Sequence, residues 1–440
     1  MTRRQISRDL PNLLTGTSRP VPRRPSLLKS AVCLSLLVTF VLLPVQFLVL
    51  PLNMSPFDVW NLIGLLLSWL YLMRVRRSVR LPYIMAMWLV LLTSFMAALA
   101  SPNLGVSLSV ILKEIYLYVF FVTLAAVFIS LDAKDLRRLL LGWCSVATLH
   151  GALIVAQFLS PDIFRNSKAY LERFGAVDVW RPSGLFENAN AAAFFQLMAL
   201  VPLVLLRPSK AVAVLVGTFL IASVVGTGSL GAVAAFLCSL IVAMAAILMV
   251  RGEWDLVIKV SALLVVAVVL LGGTFAFVIN QQPDFQGRLE QIFYGRTERS
   301  AEGRFGLWTR GIDLLLYDTP LLGIGPDGFK YLDIPLYDPP KMTYLHNDLL
   351  AFAVERGVGG LLGLVLFGLM AIRKAIQMLQ NHKRYPDRVG PAVVIFLAAL
   401  VAILVESQTH QVFHARQVWV LLALQEATLF KMSESPLRLI

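Results

Sequence analysis

Apolar runs long enough to cross a membrane, parted by short polar links, make up most of the chain. Twelve of them fall near 28–50, 57–73, 81–100, 104–131, 139–159, 189–206, 211–225, 229–250, 256–279, 348–372, 390–405 and 415–431. A helix needs about 20 residues to span the hydrocarbon, and an open sheet edge is not stable there. The pattern therefore predicts an all-α polytopic membrane protein of about 12 transmembrane helices. Two polar interruptions, 160–188 and 280–345, are longer than the rest. The expected organisation is a basic tail (1–27), nine helices across 28–279 with the loop 160–188, and a large loop (280–345). Three helices across 346–432 and a short tail (433–440) complete it.

Lysines and arginines collect in the first tail and in 74–80, 132–138, 207–210, 251–255 and 372–388, all on one side of this layout. Cytoplasmic links carry such an excess, so both termini are expected in the cytoplasm and the two long loops on the periplasmic face. The run at 28–50 lacks a small-residue cleavage site before its end and reads as a retained anchor. Apolar residues are 58% of the chain, charged ones 15%, and mean hydropathy is +0.75. A soluble domain carries about 25% charged residues. The net charge of +13 is explained by topology, with no call for nucleic acid. Cys33, Cys144 and Cys238 lie far apart inside apolar runs, which excludes a disulfide framework and a cysteine metal site.

The long loops break the charge rule. One carries Arg165, Lys168, Arg173 and Arg181; the other carries Arg288, Arg296, Arg299, Arg304, Arg310, Lys330 and Lys341. They read as solvated surface singly and as an anion site together, since guanidinium forks match phosphate oxygens. The segment 303–318 predicts a helix on the membrane surface, with Arg304 and Trp308 one turn apart on one side. In TYLHNDLLAFAVERGVGG (343–360), His346 and Asn347 stand at the outer mouth of a span. Histidine titrates near neutrality, so it can take a proton from a hydroxyl and return it. Continuous helical spacing sets Gly357 beneath His346 on one face, where Gly357 and Gly360 would admit a neighbouring helix. Glu355 points off that face and needs a partner, Arg356 or Lys113, which makes it structural. His410 and His414 have metal-ligand spacing without a third ligand and read as a polar rim. No G-x-x-x-x-G-K-[ST] run and no DxD occurs, and the outer acids are scattered; neither a metal nor another cofactor is expected.

Three stretches together resemble the bacterial O-antigen ligase superfamily. They are H346-N347 with G357-x-x-G360, RPSGLFENANAAAFF (181–195), and GRFGLWTRGIDLLLYDTPLLGIGPDGF (303–329). The resemblance implies a GT-C-like glycosyltransferase of the bacterial inner membrane with a helical periplasmic loop. Its donor would be an undecaprenyl-diphosphate-linked glycan. Its acceptor would be a sugar hydroxyl on lipid A–core, for a ligase, or on a lipid-linked repeat unit, for an O-antigen or exopolysaccharide polymerase. Transfer would be metal-independent and inverting. By position, His346 would be the catalytic base, and Arg181, Arg288 and Arg304 would hold the diphosphate. Asn347, Arg310, Trp308, Glu355, Gly357, Gly360 and His410 would support them. Leu230 stands where ligases often carry an arginine, and Leu361 where they tend to carry Ser or Thr; both departures loosen the match to ligases proper and leave ligase and polymerase both open. The alternative is a transporter or flippase of lipid-linked saccharides. It needs ionisable groups through the membrane depth, and only Lys113, Glu114 and Glu355 lie deep in the predicted spans.

Overall fold

The computed structural model describes residues 27–46, 55–160, 171–174, 177–251, 258, 304–318, 321–332, 344–382 and 386–434. Its first helices are α1 (Leu27–Leu42), α2 (Pro56–Arg74), α3 (Ile84–Ala98), α4 (Leu104–Ser130) and α5 (Ala133–Leu159). A hairpin of β1 (Leu171–Phe174) and β2 (Val177–Trp180) follows. Then come α6 (Ala189–Met198), α7 (Leu200–Leu206), α8 (Lys210–Gly226) and α9 (Leu230–Arg251). The outer-loop helix α10 covers 304–318. Last are α11 (Asp348–His382), α12 (Pro386–Glu406) and α13 (Arg416–Glu434).

Polar caps set the boundaries. Ser55 and Asp58 form a capping box at the start of α2, with Pro56 in its first turn. Asn103 accepts from the Val106 amide at the start of α4, and Asp132 from the Asp135 amide at the start of α5. Such side chains satisfy amides that a helix start leaves unpaired. Six described helices are long and apolar enough to cross a membrane, and four more apolar ones are shorter.

Several expectations change. The predicted span 256–279 lies outside the described residues apart from Ile258. The span 189–206 is divided at Ala199 into α6 and α7. The polar stretch 372–388 is largely helical, because α11 runs on to His382 and α12 begins at Pro386. The loop 160–188 carries the antiparallel hairpin, with Leu171 opposite Trp180, so the chain is not wholly α. The last run, expected as an ordinary span, forms the axis of the bundle as α13. Trp419, Val420, Leu421, Leu424 and Ala427 are buried there beside Gln417, Gln425 and Thr428. Protein surrounds it, and Gln425 donates to the Ala371 carbonyl (3.4 Å) and Thr428 to the Leu424 carbonyl (2.7 Å). The Trp419 ring meets Phe121 of α4 at 5.9 Å, Phe367 of α11 at 5.7 Å and Phe413 at 5.3 Å.

Helix α11 is broken within its length. Gly357 takes φ 66°, ψ −170°, which is not helical. The loop 321–328 lies against the break, where the Ile324 amide donates to the Val354 carbonyl (3.1 Å) and the Gly325 amide to the Glu355 carbonyl (2.9 Å). A Cβ on Gly357 would fall on the Leu321 carbonyl. Gly357 therefore does not share a continuous face with His346, and it admits a loop rather than a helix. Close helix approach comes instead from Gly359 and Gly363, which face Thr93 and Val90 of α3. The space beside Gly360 is filled by the Arg356 side chain.

Candidate active site

His346 sits just outside α11 with φ 51°, a left-handed turn that aims the chain into the helix. Asn347 then caps it: its side-chain oxygen accepts from the Leu350 amide (3.0 Å), and its carbonyl from Ala351 (2.9 Å). The Asn347 amide group also donates to Gln408 (3.3 Å). Asp348 ties this helix start to the turn 407–415. Its amide donates to the Ser407 carbonyl at 2.8 Å, and its Oδ2 accepts from the amides of Val412 (2.9 Å) and Phe413 (3.0 Å). That clamp lays the His410 ring over the His346 ring, with centroids 6.2 Å apart and planes 21° from parallel. From the other side, Trp308 of α10 donates its indole N–H to the Leu345 carbonyl (2.9 Å). Tyr344 stands edge-on to His346 at 6.4 Å and accepts from Lys330 Nζ at 3.0 Å. Burial opposes charge on Lys330, yet Tyr344 and Asp327 raise its pKa above the ordinary value.

Arg181 is buried and firmly held. Its Nε donates to the Thr227 carbonyl (3.1 Å), at the C-terminal end of α8, and its Nη2 to Asn190 Oδ1 (3.0 Å). The surrounding motif explains itself locally. Asn188 caps α6 through the Asn190 amide (2.7 Å). Gly184, at φ 61°, packs against the His150 ring, which a side chain would strike. The Gly184 amide and carbonyl pair with Gln157 at 2.9 and 3.2 Å.

The positive charges of Arg304 and Arg181 both act on His410 and on Glu406, the last residue of α12. Burial pushes the His410 pKa down to about 4, and the two guanidiniums push the same way; the ring is neutral at pH 7. Four separate stretches supply this group: Arg181, Arg304, His346, and the segment that carries Glu406 and His410. Arg288 lies outside the described residues. Arg310 is half-buried on α10, and no described contact joins it to His346.

Glu355 belongs to a buried ionic network below the site. Arg356 reaches Glu114 of α4 at 2.5 Å, Glu355 at 3.2 Å and Ser94 of α3 at 3.0 Å. Glu355 Oε2 also accepts from the Asp327 amide at 3.1 Å. Of the two partners expected for Glu355, Arg356 is the one that reaches it, and Glu114 is a second carboxylate on the same guanidinium. His414 turns to Glu114 (3.1 Å) rather than pairing with His410 on a helix face, because 407–415 is a turn. Burial lowers its pKa, against the pull of Glu114. Among the described residues, no three His, Cys, Asp or Glu side chains group as a metal cage requires. Sequence reasoning missed Glu114 as partner and Glu406 as a site group. The visible sign of the latter was a carboxylate closing the apolar run 390–405.

Residues 211–368 match the protein family described as O-Antigen ligase. The match takes in the motifs at 303–329 and 346–360, while the 181–195 element precedes it. It supports the superfamily resemblance that those motifs carry. No curated protein matches the chain.

Proposed function

We propose that this protein is a multi-span GT-C-like glycosyltransferase of the bacterial inner membrane, working on the periplasmic face. In this reading it moves a glycan from undecaprenyl diphosphate to a sugar hydroxyl. The single observation that supports it is His410, whose ring stacks on His346 at 6.2 Å and feels the charges of Arg181 and Arg304. His346, neutral when it acts, takes the proton from the acceptor hydroxyl. The freed oxygen attacks the anomeric carbon from the face opposite the diphosphate. The C–O bond to the diphosphate breaks, and the leaving group departs with the electron pair. Its growing negative charge meets Arg181 and Arg304, with Arg288 as a third candidate cation. Fixed cations at a leaving group accelerate such a step without needing an acid. Trp308 and Asn347 position His346 through Leu345 and the helix cap, and the apolar faces between spans receive the polyprenyl tail.

The flippase alternative asks for ionisable groups arrayed for alternating access. Glu355, Arg356, Glu114 and His414 instead satisfy one another in a fixed network, which supports the transferase reading. The test is His346→Ala, assayed in membranes for glycan transfer. Transfer should fall at least 100-fold, the contribution typical of a general base, with unchanged membrane insertion. Wild-type turnover would refute the base role. The glycan profile of a deletion strain separates the two transferases: loss of all polymer from the core denotes a ligase, and a single attached repeat unit a polymerase.

A further inference from the structure

Glu406 is fully buried, yet neither carboxylate oxygen has a hydrogen-bond partner. A buried acceptor left without a donor is costly and rare, and it asks for a missing partner. Electrostatic balance against Arg181 and Arg304 does not account for it. Where this protein uses a carboxylate to neutralise a buried arginine, the two make direct contact, as in Glu114–Arg356 (2.5 Å) and Asp58–Arg416. The guanidiniums act on Glu406 through space only. One turn on, His410 Nδ1 is also shut from solvent without a partner. Its backbone amide donates to the Glu406 carbonyl (2.8 Å), so the two side chains leave adjacent turns of the same segment. Gly231 keeps the neighbouring wall bare: a Cβ there would come within 3.0 Å of Glu406 Oε2 and strike Thr409.

Three unpartnered polar atoms thus border the cations assigned to the diphosphate. A second phosphate does not suit them, because neither Glu406 nor the neutral His410 ring brings it a positive charge. A ligand rich in hydroxyl or amide groups suits them well, since a carboxyl group accepts from such hydrogens whether or not it is ionised. We infer that Glu406 and His410 form the subsite for the sugar directly attached to the diphosphate, Glu406 accepting hydrogen bonds from hydroxyl or acylamino groups on that ring. This rests on the proposed transferase reading and deepens it: the donor site is bipartite, with arginines for the diphosphate and a carboxylate for the first sugar.

The test compares two lipids on the full-length protein in nanodiscs. One is undecaprenyl diphosphate; the other is the undecaprenyl-diphosphate-linked glycan from a strain deleted for this protein. The wild type should bind the glycosylated lipid more tightly. Glu406→Gln, which replaces one of the two carboxyl oxygens by an amide nitrogen, should weaken that binding roughly 10-fold. It should leave the sugar-free lipid bound as well as before, or better. Equal effects on both lipids, or none on either, would overturn the subsite. If Glu406→Gln does not fold, His410→Gln carries the same comparison, with the same outcomes decisive. A wild type that binds neither lipid would instead refute the transferase reading itself.

Discussion

Two glycines of α11 allow one experiment with opposite expected signs. Gly357 holds φ 66°, ψ −170°, a region essentially closed to other residues and costing them about 1–3 kcal/mol. An added Cβ would also fall on the Leu321 carbonyl, and backbone cannot rotate aside as a side chain does. Relief requires the loop to withdraw, giving up the Ile324–Val354 and Gly325–Glu355 hydrogen bonds, worth about 1 kcal/mol each. Gly357→Ala should therefore cost roughly 3–5 kcal/mol in sum. Gly368 lies in the same helix, where an added methyl group would meet nothing within 4 Å. There the better helix propensity of alanine should stabilise by up to about 1 kcal/mol. Thermal unfolding in one detergent, followed by tryptophan fluorescence, compares both variants with the wild type. Gly357→Ala should melt well below the parent, and Gly368→Ala at or above it. Should the two melt together, the broken-helix account is wrong.

Arg356→Met should destabilise by about 3–5 kcal/mol, because it strands the carboxylates of Glu114 and Glu355. Adding Glu114→Gln should recover part of that loss in the same melting assay, whereas strict additivity would deny the coupling. His410 should contribute a loss of stability as pH drops from about 6.5 towards 4. Over that interval the unfolded chain protonates His410 while the buried ring beside Arg181 and Arg304 resists, so unfolding gains protons. His410→Gln should flatten this part of the pH profile, and an unchanged slope would contradict the assignment.

Much of this was legible because hydropathy reports burial along a helix. The run expected at 104–131 folds as Leu104–Ser130, and that at 57–73 as Pro56–Arg74. His346, Arg181 and Arg304 stood out from motif context, and His410, stacked on His346 and acted on by both arginines, is the residue that links them. What escaped was non-local. Periodicity shows that Gly357 is small, but not that a loop from earlier in the chain forms backbone bonds beside it. Glu114 and Arg356 stand 242 positions apart, so spacing cannot pair them. Glu406 and His410 matter through a turn whose shape is fixed by Asp348 of another helix, and no local pattern announces that.

The Arg356–Glu114 contact also bears on biogenesis. An arginine at the middle of a nascent segment costs about 2.5–3.5 kcal/mol to insert, and the partner that offsets it here is made far earlier. Glu114 is already in place when α11 leaves the ribosome, so synthesis order supplies the counter-charge in time. The stretch 211–368 that matches the family contains the arginine but not its carboxylate partner on α4. Shared ancestry and autonomous assembly thus have different borders in this chain: the piece that evolution marks out must be received by helices made before it.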